Sequence, residues 1–217
     1  MNKNLKKKNI QNLEFLPNKL NSILIGIMLG DGSISRTSNT SNCRFEMSFG
    51  FKYKDFAESI GALFKEFIKT PVKTIEIKSK CKTKTYTNFR LKTVSLPVFN
   101  YYFDMFYIFN IEKNKYVKII PLNISELLDP VVLAYFIMTD GNFDKSRNRV
   151  RIYTNSYKLA DVVKLALAIN ERLGIYAGVL HDRKNQWIIT IGSKQFTLLR
   201  ELVTPHFESS MLYRIGL

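Results

Sequence analysis

The chain has 217 residues, and its 33 Lys+Arg outnumber 18 Asp+Glu, for a formal net charge of +15 at pH 7. Hydrophobic residues make up 46% and aromatics 13%, enough to bury a core, so wholesale disorder is excluded. Such a positive surplus opposes compaction unless a polyanion binds. Nucleic acid is the first candidate partner, and an anionic membrane surface is the second.

The two cysteines, Cys43 and Cys81, form no framework and read as free thiols of a reducing compartment. His181 and His206 are too few for a zinc site, so any metal must be held by oxygens, which points to Mg²⁺-type chemistry. The apolar run from Ile23 to Leu29 is far too short to span a bilayer, and no membrane role is expected. Residues 1–17 are basic with no apolar region behind them and read as a cationic tail.

Leu20 to Gly32 reads as a short apolar helix, with Gly32 placed as its cap. A polar loop from Ser35 to Asn42 follows. Arg44 to Phe49 then alternates with period two, setting Phe45, Met47 and Phe49 inward and Arg44, Glu46 and Ser48 outward. Phe56, Ile60, Leu63, Phe64 and Phe67 form one helical stripe, ended by Thr70-Pro71. Ile75 and Ile77, then Phe89 and Leu91, mark the inward faces of a hairpin whose turn is SKCKTKT. A helix starting near Leu96-Pro97 carries Phe99, Tyr102, Phe103 and Phe106.

The same order then returns. Asp129 is placed as N-cap and Pro130 as first residue of a helix running to Gly141. Arg149 to Tyr153 alternates as a strand. Leu159, Val162, Val163, Ala166 and Leu173 form a stripe closed by Gly174. Ile175–His181 and Trp187–Ile191 make a hairpin, and Phe196, Leu199 and Val203 a last helix. The spacing between equivalent positions shrinks only across hairpins, where insertions are tolerated, so an internal duplication is the simplest account. Residues 18–115 form one half and 116–217 the other, with a pseudo-two-fold arrangement expected.

The helices that open the halves end alike, in LIGIMLGDG and LAYFIMTDG. Each sets a carboxylate, Asp31 or Asp140, at the negative end of an apolar helix, where an acid is disfavoured. A rule broken twice at matching places points to function. Gly26 and Gly30 bare one face of the first helix, so two such helices can cross closely and bring Asp31 and Asp140 together. Adjacent carboxylates repel unless cations neutralise them, and metal held between them suits phosphodiester cleavage.

These two nonapeptides resemble the LAGLIDADG motif, and residues 20–217 resemble a two-motif LAGLIDADG homing endonuclease of the kind encoded in organellar group I introns. The resemblance implies an α+β fold, αββαββα stated twice, with two antiparallel sheets forming a DNA-binding saddle. It implies a monomer that cleaves both strands of a long asymmetric DNA site with Mg²⁺, leaving 3′ overhangs; Mn²⁺ or Ca²⁺ are expected to substitute in binding. By position Asp31 and Asp140 match the metal-binding acids, and Gly30 and Thr139 would offer backbone carbonyls. Lys118 fits the basic residue ahead of the second motif, and Arg214 sits where relatives commonly carry Lys. Tyr135 stands where the family usually has Gly, so it must pack outward or against the glycines of the first helix. The alternative on the same fold is a maturase that binds intron RNA; a plain DNA-binding protein is the third reading. The abundance of Lys, Asn, Ile, Phe and Tyr suits an AT-rich organellar genome, the mitochondrion first.

The expected DNA-binding surface combines the outward strand faces, where alternation puts Arg44, Arg90, Lys92, Arg149 and Arg151, with the charge concentrated in the hairpins. In the first half it carries Arg36, Arg44, Glu46, Ser48, Lys73, Lys78, Lys80, Lys82, Lys84, Asn88, Arg90 and Lys92. In the second it carries Arg147, Arg149, Arg151, Asn155, Arg183 and Lys184. Arg reads guanine, Asn reads adenine and Glu46 would accept from cytosine, while loop lysines contact phosphate. Ser48 and Asn155 are placed at central sheet positions, where they would orient water.

Overall fold

A computed structural model of the chain describes residues 10–78 and 85–217. The expected DNA contacts Lys80, Lys82 and Lys84, with Cys81 and the first nine residues of the tail, lie outside the described residues; so does the side chain of Lys78. The chain divides into two compact units, residues 1–17 with 32–104 and residues 18–31 with 105–217.

In the first unit, β1 (Ser33–Ser35), β2 (Arg44–Gly50), β3 (Lys73–Lys78) and β4 (Thr85–Lys92) form an antiparallel sheet in the order β1-β2-β4-β3. Phe45, Met47, Phe49, Phe89 and Leu91 fill its inner face, as period-two alternation requires. Strand β3, however, pairs one residue out of the expected phase. Thr74 stands opposite Phe89 and Ile75 opposite Asn88, so Ile75 lies on the outer face rather than inward, and the register sets Ile77 opposite Tyr86 in the same phase. Helix α2 (Lys54–Leu63) packs there through Phe56, Ala57 and Ile60, and α3 (Val98–Phe106) begins with buried Val98, Phe99, Tyr102 and Phe103. Helix α2 is shorter than its stripe suggests. The backbone leaves the helix at Phe64 (φ −94°, ψ 14°), and a turn follows in which Phe67 N donates to Phe64 O at 2.8 Å. That turn aims both rings inward: Phe64 meets Phe45 at 5.1 Å between centroids, and Phe67 meets Phe99 at 6.0 Å. Aromatic packing here overrides helical continuation.

The second unit holds both motif helices, α1 (Asn18–Leu29) and α5 (Pro130–Asp140). Its sheet joins β7 (Gly141–Asp144), β8 (Arg149–Tyr153), β9 (Gly178–Arg183) and β10 (Gln186–Gly192) in the order β7-β8-β10-β9, the same internal order as the first sheet. Helices α6 (Leu159–Leu173) and α7 (Phe196–Val203) complete it. The two halves thus repeat one α+β sequence of elements, and no helix among the described residues is long and apolar enough to cross a membrane.

Two caps form as expected. Asp129 accepts from Val132 N at 2.8 Å with Pro130 in the first turn, and Gly174 closes α6 at φ +67°, its N–H donating to Asn170 O. Gly32 does not: α1 ends at Leu29, and Gly32 is not among the positive-φ glycines. The buried stripe of α6 is Val162, Leu165, Ala166 and Ile169, while Leu159 and Val163 are exposed. Two apolar stripes overlap at i, i+3 and i+4 along this helix, and only contact with the sheet selects one. Unforeseen from the sequence are a hairpin of β5 (Tyr107–Asn110) and β6 (Lys115–Lys118), a single helical turn α4 (Ile124–Leu127), and the 3-10 segment Ser209–Ile215.

Candidate active site

Helices α1 and α5 approach at van der Waals distance because glycine lets them. A β-carbon on Gly26 would lie 2.5 Å from the Val132 carbonyl oxygen and 2.8 Å from Tyr135 Cβ. One on Gly30 would lie 2.8 Å from Thr139 Cβ and 2.9 Å from Asp140 Oδ2. Tyr135 therefore packs, buried, against the Gly26 side of the first helix, the second of the two placements expected for it. Gly141 meets a different crowding, within α5 itself, on ordinary extended backbone (φ −83°, ψ 157°): a β-carbon there would lie 2.5 Å from the Ile137 carbonyl oxygen.

This crossing sets Asp140 Oδ2 beside the residue that precedes Asp31. Asp31 is exposed and Asp140 half-buried, so the pair can be reached from solvent. Although part of Asp31 reaches solvent, desolvation by the protein packed around its carboxyl raises it above its usual value, opposed by the charges of Lys118 and Arg214. Burial, then the Asp31 charge, pushes Asp140 up to about 7, against the pull of Lys118 and Arg214. Lys118 is delivered by β6, and its Nζ donates to Gly30 O at 2.6 Å. Burial draws its ammonium down to about 8, while Asp140 and Asp31 hold it up. Arg214 comes from the C-terminal 3-10 segment, and its Nη1 donates to Gly141 O. Two acids and two cations thus share one site, and each is a candidate that strand and helix patterning had left far apart along the chain.

Gly30 O is engaged by Lys118. The Thr139 hydroxyl turns back into its own helix, shared between Tyr135 O at 3.0 Å and Phe136 O at 2.9 Å. Tyr157 joins the site from a distant position: its buried hydroxyl donates to Leu29 O at 2.9 Å and ties down the end of α1. Burial and the Asp140 charge raise its pKa. A lone Tyr after a strand carries no sequence signal of that contact.

Among the described residues no group of three or more His, Cys, Asp or Glu gathers. A metal at Asp31 and Asp140 would therefore rest on two carboxylates, completed by carbonyl, water or substrate oxygens. That all-oxygen donor set fits a hard divalent cation.

On the outer face of the first sheet, Glu46 is buried beneath Arg44, Arg90 and Lys92, at 2.5, 2.8 and 3.2 Å. Burial would raise this carboxyl, but hydrogen bonds from those three residues outweigh it and hold it at about 2. Ser48 is exposed on central strand β2. Asn155 is not on a strand: it falls in the turn after β8, where its amide donates to Asp182 and Gln186 at 3.0 and 3.1 Å. Alternation overshoots there because β8 ends at Tyr153. Arg36 stacks over Phe103 at 4.9 Å. Lys73, Arg147, Arg183 and Lys184 are exposed, and Asn88 is half-buried.

Residues 21–199 match the model of the LAGLIDADG DNA endonuclease family. The chain belongs to that family. It is 26% identical over 223 residues to the cytochrome b mRNA maturase bI2 of Saccharomyces cerevisiae, covering 100% of this chain and 52% of that protein. It thus spans about half the length of that relative. It is 28% identical over 197 residues to the probable intron-encoded endonuclease 1 of Wickerhamomyces canadensis, covering 88% of this chain and 81% of the other. Its backbone resembles that of the homing endonuclease I-WcaI bound to its DNA recognition sequence, with TM-score 0.82, 23% identity, and 99% and 93% of the two chains covered. That last likeness speaks to fold alone.

Proposed function

We propose that the chain is a site-specific endonuclease that cleaves both strands of a long asymmetric DNA target, leaving 3′ overhangs. The observation that carries this reading is the meeting of Asp31 and Asp140 at the ends of two glycine-packed helices, with Lys118 and Arg214 alongside. Asp31 and Asp140 would hold the divalent metal, Mg²⁺ in the cell. When bound, that ion supplies Lewis-acid stabilisation of the attacking and leaving oxygens and a water of lowered pKa.

The protein's own groups have separable tasks. The carboxylates, raised in pKa by burial and mutual repulsion, are held in place by helix packing and gain most from a neutralising cation. Lys118 places a positive charge where the phosphorane charge develops, and its value of about 8 also lets it surrender a proton near neutral pH. Arg214 contributes charge only, because a guanidinium does not deprotonate. Tyr157 keeps the last turn of α1, and so Asp31, in register. The cationic strand faces supply affinity and sequence reading, and a monomer with both motifs in one chain suffices for both strands. The gene would lie in an organellar intron, the mitochondrion first; similarity to a probable intron-encoded endonuclease and to a cytochrome b mRNA maturase supports the organellar part of this reading.

A maturase activity on structured intron RNA is the second reading, favoured by similarity along the whole chain to the bI2 maturase. One experiment separates the two. The protein is incubated with Mg²⁺ and a plasmid library of candidate sites, and cut ends are mapped, with Asp31→Asn and Asp140→Asn as controls. Cleavage lost in both variants with DNA binding retained supports the nuclease. No cleavage with Mg²⁺ or Mn²⁺, together with tight binding to intron RNA, transfers the function to the maturase.

A further inference from the structure

Each sheet hides one carboxylate on the face that its core residues leave free. Glu46 stands opposite Lys92 across the β2-β4 ladder and opposite Ser33 across β1-β2. Its Oε1 accepts from Arg44 Nε at 2.5 Å and from Ser35 Oγ at 3.1 Å. Its Oε2 accepts from Arg90 Nη2 at 2.8 Å and lies 3.2 Å from Lys92 Nζ. Both oxygens are thus saturated by neighbours in the same sheet, which leaves little capacity for a cytosine amino group. In the other unit, Asp144 stands opposite Arg149 across β7-β8. It accepts from Ser146 Oγ at 2.7 Å and Arg149 Nε at 3.2 Å, with Arg151 Nε at 3.5 Å and Arg147 Nη1 at 3.6 Å.

We propose that Glu46 and Asp144 are positioning residues for base recognition: each clamps a set of cationic side chains so that their guanidinium groups meet DNA already oriented. This rests on the reading of the chain as a sequence-specific DNA-binding enzyme. The contact geometry states which edge is presented. Arg44 and Arg149 hydrogen-bond their acid through Nε, so the Nη1–Nη2 edge lies outside the ion pair and is the one offered to guanine O6 and N7. Arg151 Nε lies 3.5 Å from Asp144 without a hydrogen bond and is held by charge alone. A free arginine must lose rotamer freedom on binding; a clamped one has already lost it, so the bidentate contact discriminates more sharply between bases. Arg90 spends Nη2 on Glu46 and is left with less of its fork, which suits a phosphate or a single acceptor.

The clamp predicts an unusual separation between affinity and specificity. Glu46→Gln removes a negative charge from a face that meets phosphates, so binding to arbitrary DNA rises. At the same time the released Arg44 samples many rotamers, and preference at the base pairs it reads flattens.

The test uses the full chain in EDTA, where binding proceeds without cleavage, against a randomised double-stranded DNA pool whose bound fraction is sequenced. Parent, Glu46→Gln and Asp144→Asn are compared. The expected result is a loss of about five- to tenfold in base discrimination at a few positions, different for the two variants, with all other positions unchanged. Partial unfolding would lower binding to every sequence alike and leave relative preferences where they were. In an Arg44→Ala background, Glu46→Gln should have no further effect at the bases Arg44 reads, because the acid acts through the arginine. Identical preference profiles in parent and both variants overturn the clamp. So do additive effects of Arg44→Ala and Glu46→Gln at one base pair, which would make Glu46 a direct reader. A parent that enriches no sequence at all removes the nuclease reading itself, and the clamp with it.

Discussion

The carboxylate of Asp140 lies against Gly30, so near that a β-carbon on that glycine would stand 2.9 Å from Asp140 Oδ2. The glycine thus determines the separation of the two acids as well as the fit of the helices. Gly30→Ala should cost about 1–3 kcal/mol of stability, as overpacking of a tight core does. It should also lower cleavage beyond the loss of folded protein, because Thr139 and Asp140 must give way. Gly26→Ala meets the backbone of Val132 instead and should lose a similar amount of stability. Denaturant titration with cleavage per folded molecule checks both; unchanged stability in Gly30→Ala would contradict the close crossing.

Asp140 should be a source of instability in metal-free protein. Its folded pKa, about 7, lies above the ordinary 3.8, so the folded state binds the proton more tightly than the unfolded state does. The carboxylate therefore subtracts stability as pH rises from about 4 to about 7, and the full penalty stands above that. In EDTA, Asp140→Asn should melt higher than the parent at pH 8 and lose that advantage by pH 4. Thermal melts across this range decide it, and a variant less stable at pH 8 would show the acid to be structurally favourable.

Glu46 should behave in the opposite sense. Its folded pKa is about 2 against an ordinary 4.5, so its stabilisation is complete above pH 4.5 and disappears as pH falls towards 2. Glu46→Gln should flatten the acid limb of the stability curve while leaving the shape above pH 5 unaltered. An acid limb that stays as steep in the variant would place the titrating group elsewhere.

Lys118→Met should reduce cleavage on the order of 10²-fold or more, with DNA binding retained, as loss of one preorganised charge at developing negative charge does. Lys118→Arg keeps the charge but cannot surrender a proton, so any activity it recovers measures the electrostatic share alone. Single-turnover rates as a function of pH make the measurement. Cleavage at the parental rate in Lys118→Met would remove Lys118 from the site.

Tyr157→Phe leaves the Leu29 carbonyl without its hydroxyl donor, at a cost of about 1–3 kcal/mol for a buried acceptor. The same change should blunt cleavage because Leu29 is two residues from Asp31. Parental stability and rate would show that the end of α1 is fixed by other contacts.

The sequence by itself determined the repeated order of elements, the inner faces of β2, β4 and β8 though not of β3, the Asp129 and Gly174 caps and the two acids at helix ends. Those features are local: a period of two or 3.6 residues, a cap, and a residue type that violates its helix position are all written in neighbouring letters. It also gave Gly26 and Gly30 as the bare face, because missing side chains are as visible as present ones. Only the tertiary structure decided which of two overlapping stripes on α6 is buried, where α2 stops, and that Tyr157 reaches Leu29 across 128 positions. It alone turned Glu46 from an outward acid into the centre of three cations. Each of these depends on which surface arrives from a distant part of the chain, and burial energy is settled by that arrival rather than by local pattern. The surplus of 15 positive charges was legible from the first count. The bare glycine face already implied that Asp31 and Asp140 meet; that Lys118 and Arg214 join them rested on family resemblance alone, because no spacing along the chain brings those two to the acids.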